Sequence, residues 1–317
     1  MKQVGLIGYP VAHSLSPAMQ QAAFDACGVE ARYALWETPP GTLPARIASL
    51  RAAEVLGANV TIPYKVDVVP LIDDYDPLAA RVGAVNTIVN RNGRLTGYNT
   101  DVYGFIHALN DQAGHLFAGQ RLHAGIIGTG GAARAAAVGL LEPGARRRKI
   151  AAGGCATQSA YADWDEVEDF FIGVPKPGIT TLTLLGRSQT HLTQLQHALQ
   201  GLAEGLPGTP TIDALLLGSA EVTPALARAD LLVNATPVGL YEDEQRPPIE
   251  IGTLAPGTVV MDMIFNPPQT LLLHAAQARG CQTLNGLTML LYQGVRAFEL
   301  WTGLPAPVER MRKALGC

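Results

Sequence analysis

The chain of 317 residues is poor in charge, in aromatic side chains and in paired cysteines. Charged residues make up 16% of it and the net charge is only −4, so the basic footprint of a nucleic-acid binder is missing. No apolar run approaches the ~20 residues that cross a bilayer. The four cysteines, Cys27, Cys155, Cys281 and Cys317, are scattered with no C-x-x-C. That spacing argues against a disulfide frame and a zinc site, and for reduced thiols; no metal is expected. Met1-Lys2-Gln3-Val4 leads straight into an apolar segment, which leaves no room for a signal peptide, so a cytoplasmic location is expected. No internal repeat is evident. What the chain does have is apolar content, at 48%, with abundant Ala, Gly and Leu. That suits an α/β enzyme of about two ordinary domains.

The first hundred residues alternate between strand and helix patterns. Strands are expected at residues 3–7, 32–36 and 57–61, and helices at 16–26 and 43–53. Ser16 followed by Pro17 reads as a helix N-cap with proline at the first helical position. Residues 85–90 and 94–97 flank Arg91-Asn92-Gly93, a hairpin signal. A helix follows from Asp101 to about residue 110, and residues 111–120 read as a polar linker. From Arg121 onward, strands at 122–127, 181–185, 214–217, 231–235 and 259–263 alternate with helices at 132–141, 192–202 and 271–278. This alternation implies a parallel, doubly wound sheet. The expected fold class is therefore α/β in two domains, a mostly parallel α/β domain over residues 1–110 and a Rossmann-like domain over 111–286. Residues 287–317 read as helical. A crossover normally returns within a few residues, so the stretch at about 142–179 reads as an insertion, either a surface segment with one amphipathic helix or a partner-docking or lid element.

Gly128-Thr129-Gly130-Gly131-Ala132-Ala133 sits between the apolar strand 122–127 and the alanine-rich helix. By itself such a turn is either a packing device or a phosphate cradle. Its strand-turn-helix context favours a dinucleotide, with Gly128 for the tight turn and Gly130 for close approach to the pyrophosphate. Gly131 and Ala132 would then present N–H groups at the helix start.

Four polar clusters lie at expected strand ends, where open α/β sheets bind ligands. In His13-Ser14-Leu15-Ser16-Pro17, two hydroxyls two residues apart suit a carboxylate, although Ser16 also fits a plain cap. In Asn59-Val60-Thr61-Ile62-Pro63-Tyr64-Lys65, a lysine follows a buried strand and a proline-fixed turn, placed to donate a proton to a carbonyl oxygen. Gly83-Ala84-Val85-Asn86-Thr87 and Gly97-Tyr98-Asn99-Thr100-Asp101 complete the set. Asp101 is either a helix cap or a partner of Lys65.

These four motifs in this order resemble those of the shikimate dehydrogenase family. The resemblance continues through the glycine turn, Asn234-Ala235-Thr236-Pro237-Val238-Gly239, Asp262-Met263-Ile264-Phe265-Asn266-Pro267 and Gly286-Leu287-Thr288-Met289-Leu290-Leu291-Tyr292-Gln293-Gly294. It implies NADPH-dependent, reversible reduction of 3-dehydroshikimate to shikimate in aromatic amino-acid biosynthesis, with NAD as a possible second cofactor. It further implies that Lys65 and Asp101 are the catalytic pair and that Ser14 and Ser16 bind the substrate carboxylate. Thr61, Asn86, Asn99 and Gln293 would surround the ring hydroxyls, Asn99 the least direct of them. Thr236, Met263 and Gly286 would lie at the cofactor, and residues 287–317 would complete the substrate domain. The implied partner is a small-molecule substrate, with no nucleic acid and no membrane, in a monomer or homodimer.

Two positions depart from the family pattern. Phe265 stands where a tyrosine is usual, so a hydroxyl contact is lost. After the second nucleotide-domain strand, Gly186-Arg187-Ser188-Gln189-Thr190-His191 replaces the Asn-Arg-Thr common in NADP-using members. Arg187 and Ser188 still suit a 2′-phosphate, and no acidic residue stands there to grip a free 2′-hydroxyl. The alternatives left open are a quinate/shikimate dehydrogenase using NAD or both cofactors, and a sensor that binds these acids without turnover.

Overall fold

A computed structural model describes residues 1–117, 121–141, 178–204, 206, 208–240 and 248–316. The insertion expected at about 142–179 lies almost wholly outside the described residues, since a strand already begins at Gly178. The described residues divide into two compact units, 1–103 with 293–316, and 104–141 with 178–292. No helix among the described residues is long and apolar enough to cross a membrane.

The first unit holds β1 (Lys2–Gly8), α1 (Ser16–Ala26), β2 (Ala31–Glu37), α2 (Leu43–Ser49), β3 (Val55–Val60), β4 (Asp74–Tyr75), α3 (Pro77–Val82), β5 (Thr87–Arg91) and β6 (Arg94–Tyr98). Its sheet runs β2-β1-β3-β5-β6-β4. β1 pairs parallel with β2 and β3, whereas β5 is antiparallel to both β3 and β6. Asn92 and Gly93 close the β5–β6 hairpin, both at positive φ, as a tight two-residue turn requires. Ile7, Val60, Val85, Ile88 and Leu95 form a core with Leu43 and Ile47 of α2.

Helix α4 (Asp101–Ala113) leads into the second unit, which contains β7 (Arg121–Ile127), α5 (Gly131–Leu141), β8 (Gly178–Gly186), α6 (Gln189–Ala203), β9 (Thr211–Leu216), α7 (Val222–Leu226), β10 (Leu231–Asn234), β11 (Val259–Asp262), α8 (Leu271–Ala278) and β12 (Gln282–Leu284). All its strand pairs are parallel, in the order β12-β11-β10-β7-β8-β9. This is the doubly wound order, and the switch point falls between β7 and β10. The central strands β10 and β11 are buried along their whole length because both faces are covered; Ile127, Leu185, Leu232, Val260 and Leu272 share one core. Helix α9 (Leu287–Thr302) and α10 (Val308–Leu315) end the chain, and from Gln293 onward they belong to the first unit. There Phe24 of α1 packs on Phe298 of α9, ring centroids 5.5 Å apart.

Four local expectations change. Helix α2 stops at Ser49 rather than residue 53 because Leu50, Arg51 and Ala52 turn back onto carbonyls three residues earlier, and the Ser49 hydroxyl donates to the Arg46 carbonyl. The expected linker at 111–120 is largely helix, since α4 continues to Ala113 and a short 3₁₀ turn follows at Gly114–Phe117. Leu109 and Ala113, one turn apart, are both buried and carry the helix onward. Ser16 does not cap α1 with its side chain; the Ser14 Oγ accepts the Ser16 N–H at 3.2 Å. The cap expected of Asp101 is made by Asn99, whose Oδ1 accepts the Val102 N–H at 3.3 Å.

Candidate active site

In the first unit, the end of β3 and the turn after it deliver Lys65. Thr61 is tied to the strand by its N–H on the Ile7 carbonyl, and the Lys65 carbonyl accepts from Val85 at 2.7 Å. The hydroxyl of Tyr64 anchors the same turn on the carbonyl of Thr38. Asp101 arrives from the first residue of α4. The Lys65 Nζ donates to Asp101 Oδ2 at 2.5 Å, with side chains only 17% and 6% exposed. An ion pair so sheltered must be otherwise well bonded, because desolvation opposes it. Asn86 meets that need, donating from Nδ2 to the other Asp101 oxygen at 2.8 Å. The Asn86 Oδ1 in turn accepts the Thr100 N–H at 2.7 Å.

Behind this pair lies a buried polar layer that the sequence motifs only partly announced. Asn59 donates to the Thr87 hydroxyl and to the Asn86 carbonyl, and accepts from the Tyr33 hydroxyl at 2.8 Å. Burial pushes the Tyr33 phenol well above its usual value. Ser14 is half-buried and Ser16 buried at the start of α1. Gln293, 8% exposed, is carried on α9, where the Gln20 side chain holds the next carbonyl, that of Gly294, at 2.9 Å. Thr61 is half-buried beside the Lys65 turn. Asn99 is fully buried with both ends of its amide engaged, Nδ2 on the Ala84 carbonyl and Oδ1 on Val102. That bonding gives Asn99 a positioning role at the head of α4.

In the second unit, Gly128 leaves β7 at φ +117°, and its N–H donates to the Leu185 carbonyl at 2.8 Å. A Cβ there would press on the Ala235 carbonyl and the Thr236 methyl at 3.2 Å, which adds to the strain a side chain would meet at that φ. A Cβ on Gly130 would meet no protein atom within 4 Å. Its face is open, as a backbone that must admit a phosphate requires. Gly131 and Ala132 then start α5, whose first N–H groups have no helical partner. At the end of β8, Arg187 is exposed and Ser188 caps α6 by accepting the His191 N–H. Gly128, Gly130 and Arg187 thus suit a pyrophosphate cradle with a cation at the ribose end.

On the far side of the switch point, a second buried network orders the loops of Thr236, Met263 and Gly286. Asn234 accepts from Thr236 N–H and Oγ1, at 3.1 and 2.7 Å, and donates to Asp262 at 3.0 Å. Asp262 also accepts from Thr270 and from the Ile264 N–H. Burial raises its carboxyl to about 6. Met263 bonds through its N–H to the Asn234 carbonyl. Gly286 lies against Met263 so closely that any Cβ would collide with the Met263 carbonyl. Met289 is buried, a core residue of α9. Sequence patterns singled out neither Tyr33 nor Asp262. Asp262 opens a motif, which was the available signal; Tyr33 sits in an ordinary strand and gave none.

A doubly wound nucleotide-type unit and an α/β unit carrying a sheltered lysine–aspartate pair define a two-unit α/β dehydrogenase architecture. Two family models match: the shikimate dehydrogenase substrate binding domain over residues 6–88, and the shikimate 5'-dehydrogenase C-terminal domain over residues 286–315, of which those from Gln293 onward belong to the first unit. A shikimate dehydrogenase (NADP(+)) from Moorella thermoacetica is 40% identical over 312 residues, 98% of this chain and 92% of that protein. The structure of shikimate 5-dehydrogenase from Thermus thermophilus in complex with NADP(H) and shikimate is 32% identical, with a TM-score of 0.76 over 100% of this chain and 99% of that one. Quinate dehydrogenase from Corynebacterium glutamicum in complex with NAD is 27% identical, with a TM-score of 0.77 over 99% and 98%. The chain belongs to the shikimate dehydrogenase family.

Proposed function

We propose that this protein is an NADP-dependent shikimate dehydrogenase that reversibly reduces 3-dehydroshikimate to shikimate in aromatic amino-acid biosynthesis. The observation that carries the proposal is the Lys65–Asp101 pair, sheltered and held by Asn86. In the reducing direction, the Lys65 ammonium donates a proton to the carbonyl oxygen as it becomes a hydroxyl, and Asp101 holds the ammonium in place. Ser14 and Ser16 bind the carboxylate. Thr61, Asn86 and Gln293 meet the ring hydroxyls, and Asn99 acts on them through α4. The bound nicotinamide supplies the hydride in this direction and accepts it in the reverse. Gly128, Gly130, Gly131 and Ala132 cradle its pyrophosphate. Arg187 and Ser188 meet the 2′-phosphate, and Thr236, Met263 and Gly286 border the nicotinamide end. We place the enzyme in the cytoplasm, in keeping with the free thiols of Cys27 and Cys281.

The rival substrate is quinate. Fold likeness does not separate the two, since the shikimate and quinate enzymes match at 0.76 and 0.77. Phe265, lacking the usual hydroxyl, keeps quinate in play; Arg187 and the NADP(+)-named relatives favour the biosynthetic cofactor. The presence of both Lys65 and Asp101 argues against a sensor without turnover, which need not keep both. Initial rates with shikimate and quinate, each with NADP⁺ and NAD⁺, test the proposal. A dominant shikimate/NADP⁺ rate supports it. A dominant quinate/NAD⁺ rate would transfer the protein to the catabolic reaction, and binding without turnover would make it a sensor.

A further inference from the structure

We infer that Tyr33 is a positioning residue: its hydroxyl starts a buried hydrogen-bond chain that ends on the catalytic aspartate, and this chain holds Asp101 in its working orientation. The inference rests on the proposed role of Asp101. The direction follows from donor and acceptor chemistry. The Asn59 side chain lies 3.2 Å from the main-chain carbonyl of Asn86, which can only accept, so the Asn59 nitrogen must face it. The Asn59 oxygen therefore faces Tyr33 and accepts its hydroxyl proton at 2.8 Å. Tyr33 has one proton and spends it there. Burial, with only 5% of the residue exposed, keeps that proton on the phenol.

Downstream the same logic holds. Asn59 donates to the Thr87 hydroxyl at 3.0 Å, and Thr87 reaches the Asn86 oxygen either directly at 3.3 Å or through the Thr100 hydroxyl, 3.2 Å from Thr87 and 3.2 Å from that oxygen. That oxygen also takes the Thr100 N–H, which fixes the Asn86 amide with its nitrogen on Asp101. The chain runs Tyr33, Asn59, Thr87, Asn86, Asp101, with the Thr100 hydroxyl a second path from Thr87 to Asn86. It ends on a carboxylate, the strongest acceptor available, whose second oxygen takes Lys65.

Removing the Tyr33 hydroxyl leaves the buried Asn59 oxygen without its donor, so the layer behind the catalytic pair must readjust. Turnover should suffer and carboxylate binding should not. The test compares wild type and Tyr33→Phe in single-turnover and steady-state oxidation of shikimate with NADP⁺. The expected result is a single-turnover rate about tenfold lower, equivalent to about 1.4 kcal/mol, with no rise in KM for shikimate or NADP⁺. Thr87→Val, which cuts the chain at another link, should show the same split. Wild-type turnover in both variants would overturn the inference. So would a raised KM with intact turnover, or a loss that merely tracks the folded fraction seen by circular dichroism. Failure of the functional proposal looks different, because wild type itself would not oxidise shikimate.

Discussion

The two units build their sites from different materials. In the first, the site is made of side chains that satisfy one another: Lys65, Asp101, Asn86, Thr87, Asn59 and Tyr33 share one buried network. In the second, the part facing the expected cofactor is mainly backbone, a turn whose Gly130 face is empty. A group that moves a proton must be held at a defined distance and orientation, and buried side-chain networks do that. A group that cradles a phosphate needs unpaired N–H groups and room. The first site is therefore sensitive to changes of polarity at constant shape, and the second to added volume at constant polarity.

The strongest break comes from polarity in the first unit. Asp101→Asn keeps the shape but removes the charge that holds Lys65, so kcat for shikimate oxidation should fall by roughly 10²–10⁴-fold, as initial rates will show. In the second unit, Arg187→Ala should raise KM for NADP⁺ by roughly 10–100-fold and leave that for NAD⁺ nearly unchanged. An unaltered cofactor preference would remove Arg187 from the site. The two glycines sharpen the contrast. Gly130→Ala should leave the urea midpoint unchanged, since the new Cβ meets no protein atom, yet weaken NADPH binding about tenfold. Gly128→Ala should lower both, because its φ of +117° and the nearby Ala235 carbonyl reject a side chain; the stability loss is about 1–3 kcal/mol.

The smallest effect is on pH dependence. Burial raises Asp262 from 3.8 to about 6. The folded protein then holds a proton that the unfolded chain has released, so this contribution is fully present below about pH 4 and is lost as pH rises through about 6. Asp76, likewise raised to about 6 by burial, acts in the same direction. His107, lowered to about 4 by burial, opposes both over the same window. The sign is thus read from a difference: the stability of wild type minus that of Asp262→Asn should be about 1 kcal/mol larger at pH 5 than at pH 7. Equal differences at the two pH values would contradict it.

Much of this architecture could be read from the residues because local and global signals agreed. The parallel strands are apolar runs, the glycine turn sits between strand and helix, and Asn92-Gly93 announces its hairpin. Helix α3 was missed although Asp76-Pro77 and Gly83 are start and stop signals, because six residues are too few to show a helical period. Residues 111–113 were polar enough to pass for a linker, but their polarity serves side-chain bonds: Gln112 donates to Thr288 and Asp111 accepts from Tyr292. Lys65 and Asp101 were readable from their motifs. The partners that hold them were not, because Tyr33 is brought to Asn59 by the β2-β1-β3 strand order and not by nearness in the chain.

The central claim is a division of labour, with proton handling in the first unit and cofactor binding in the second. Its most direct test is Lys65→Ala, followed both by shikimate turnover and by NADPH binding through nicotinamide fluorescence. The account predicts turnover lower by roughly 10²–10⁴-fold and an NADPH Kd equal to that of wild type. Retained turnover, or NADPH binding lost together with it, would contradict the account.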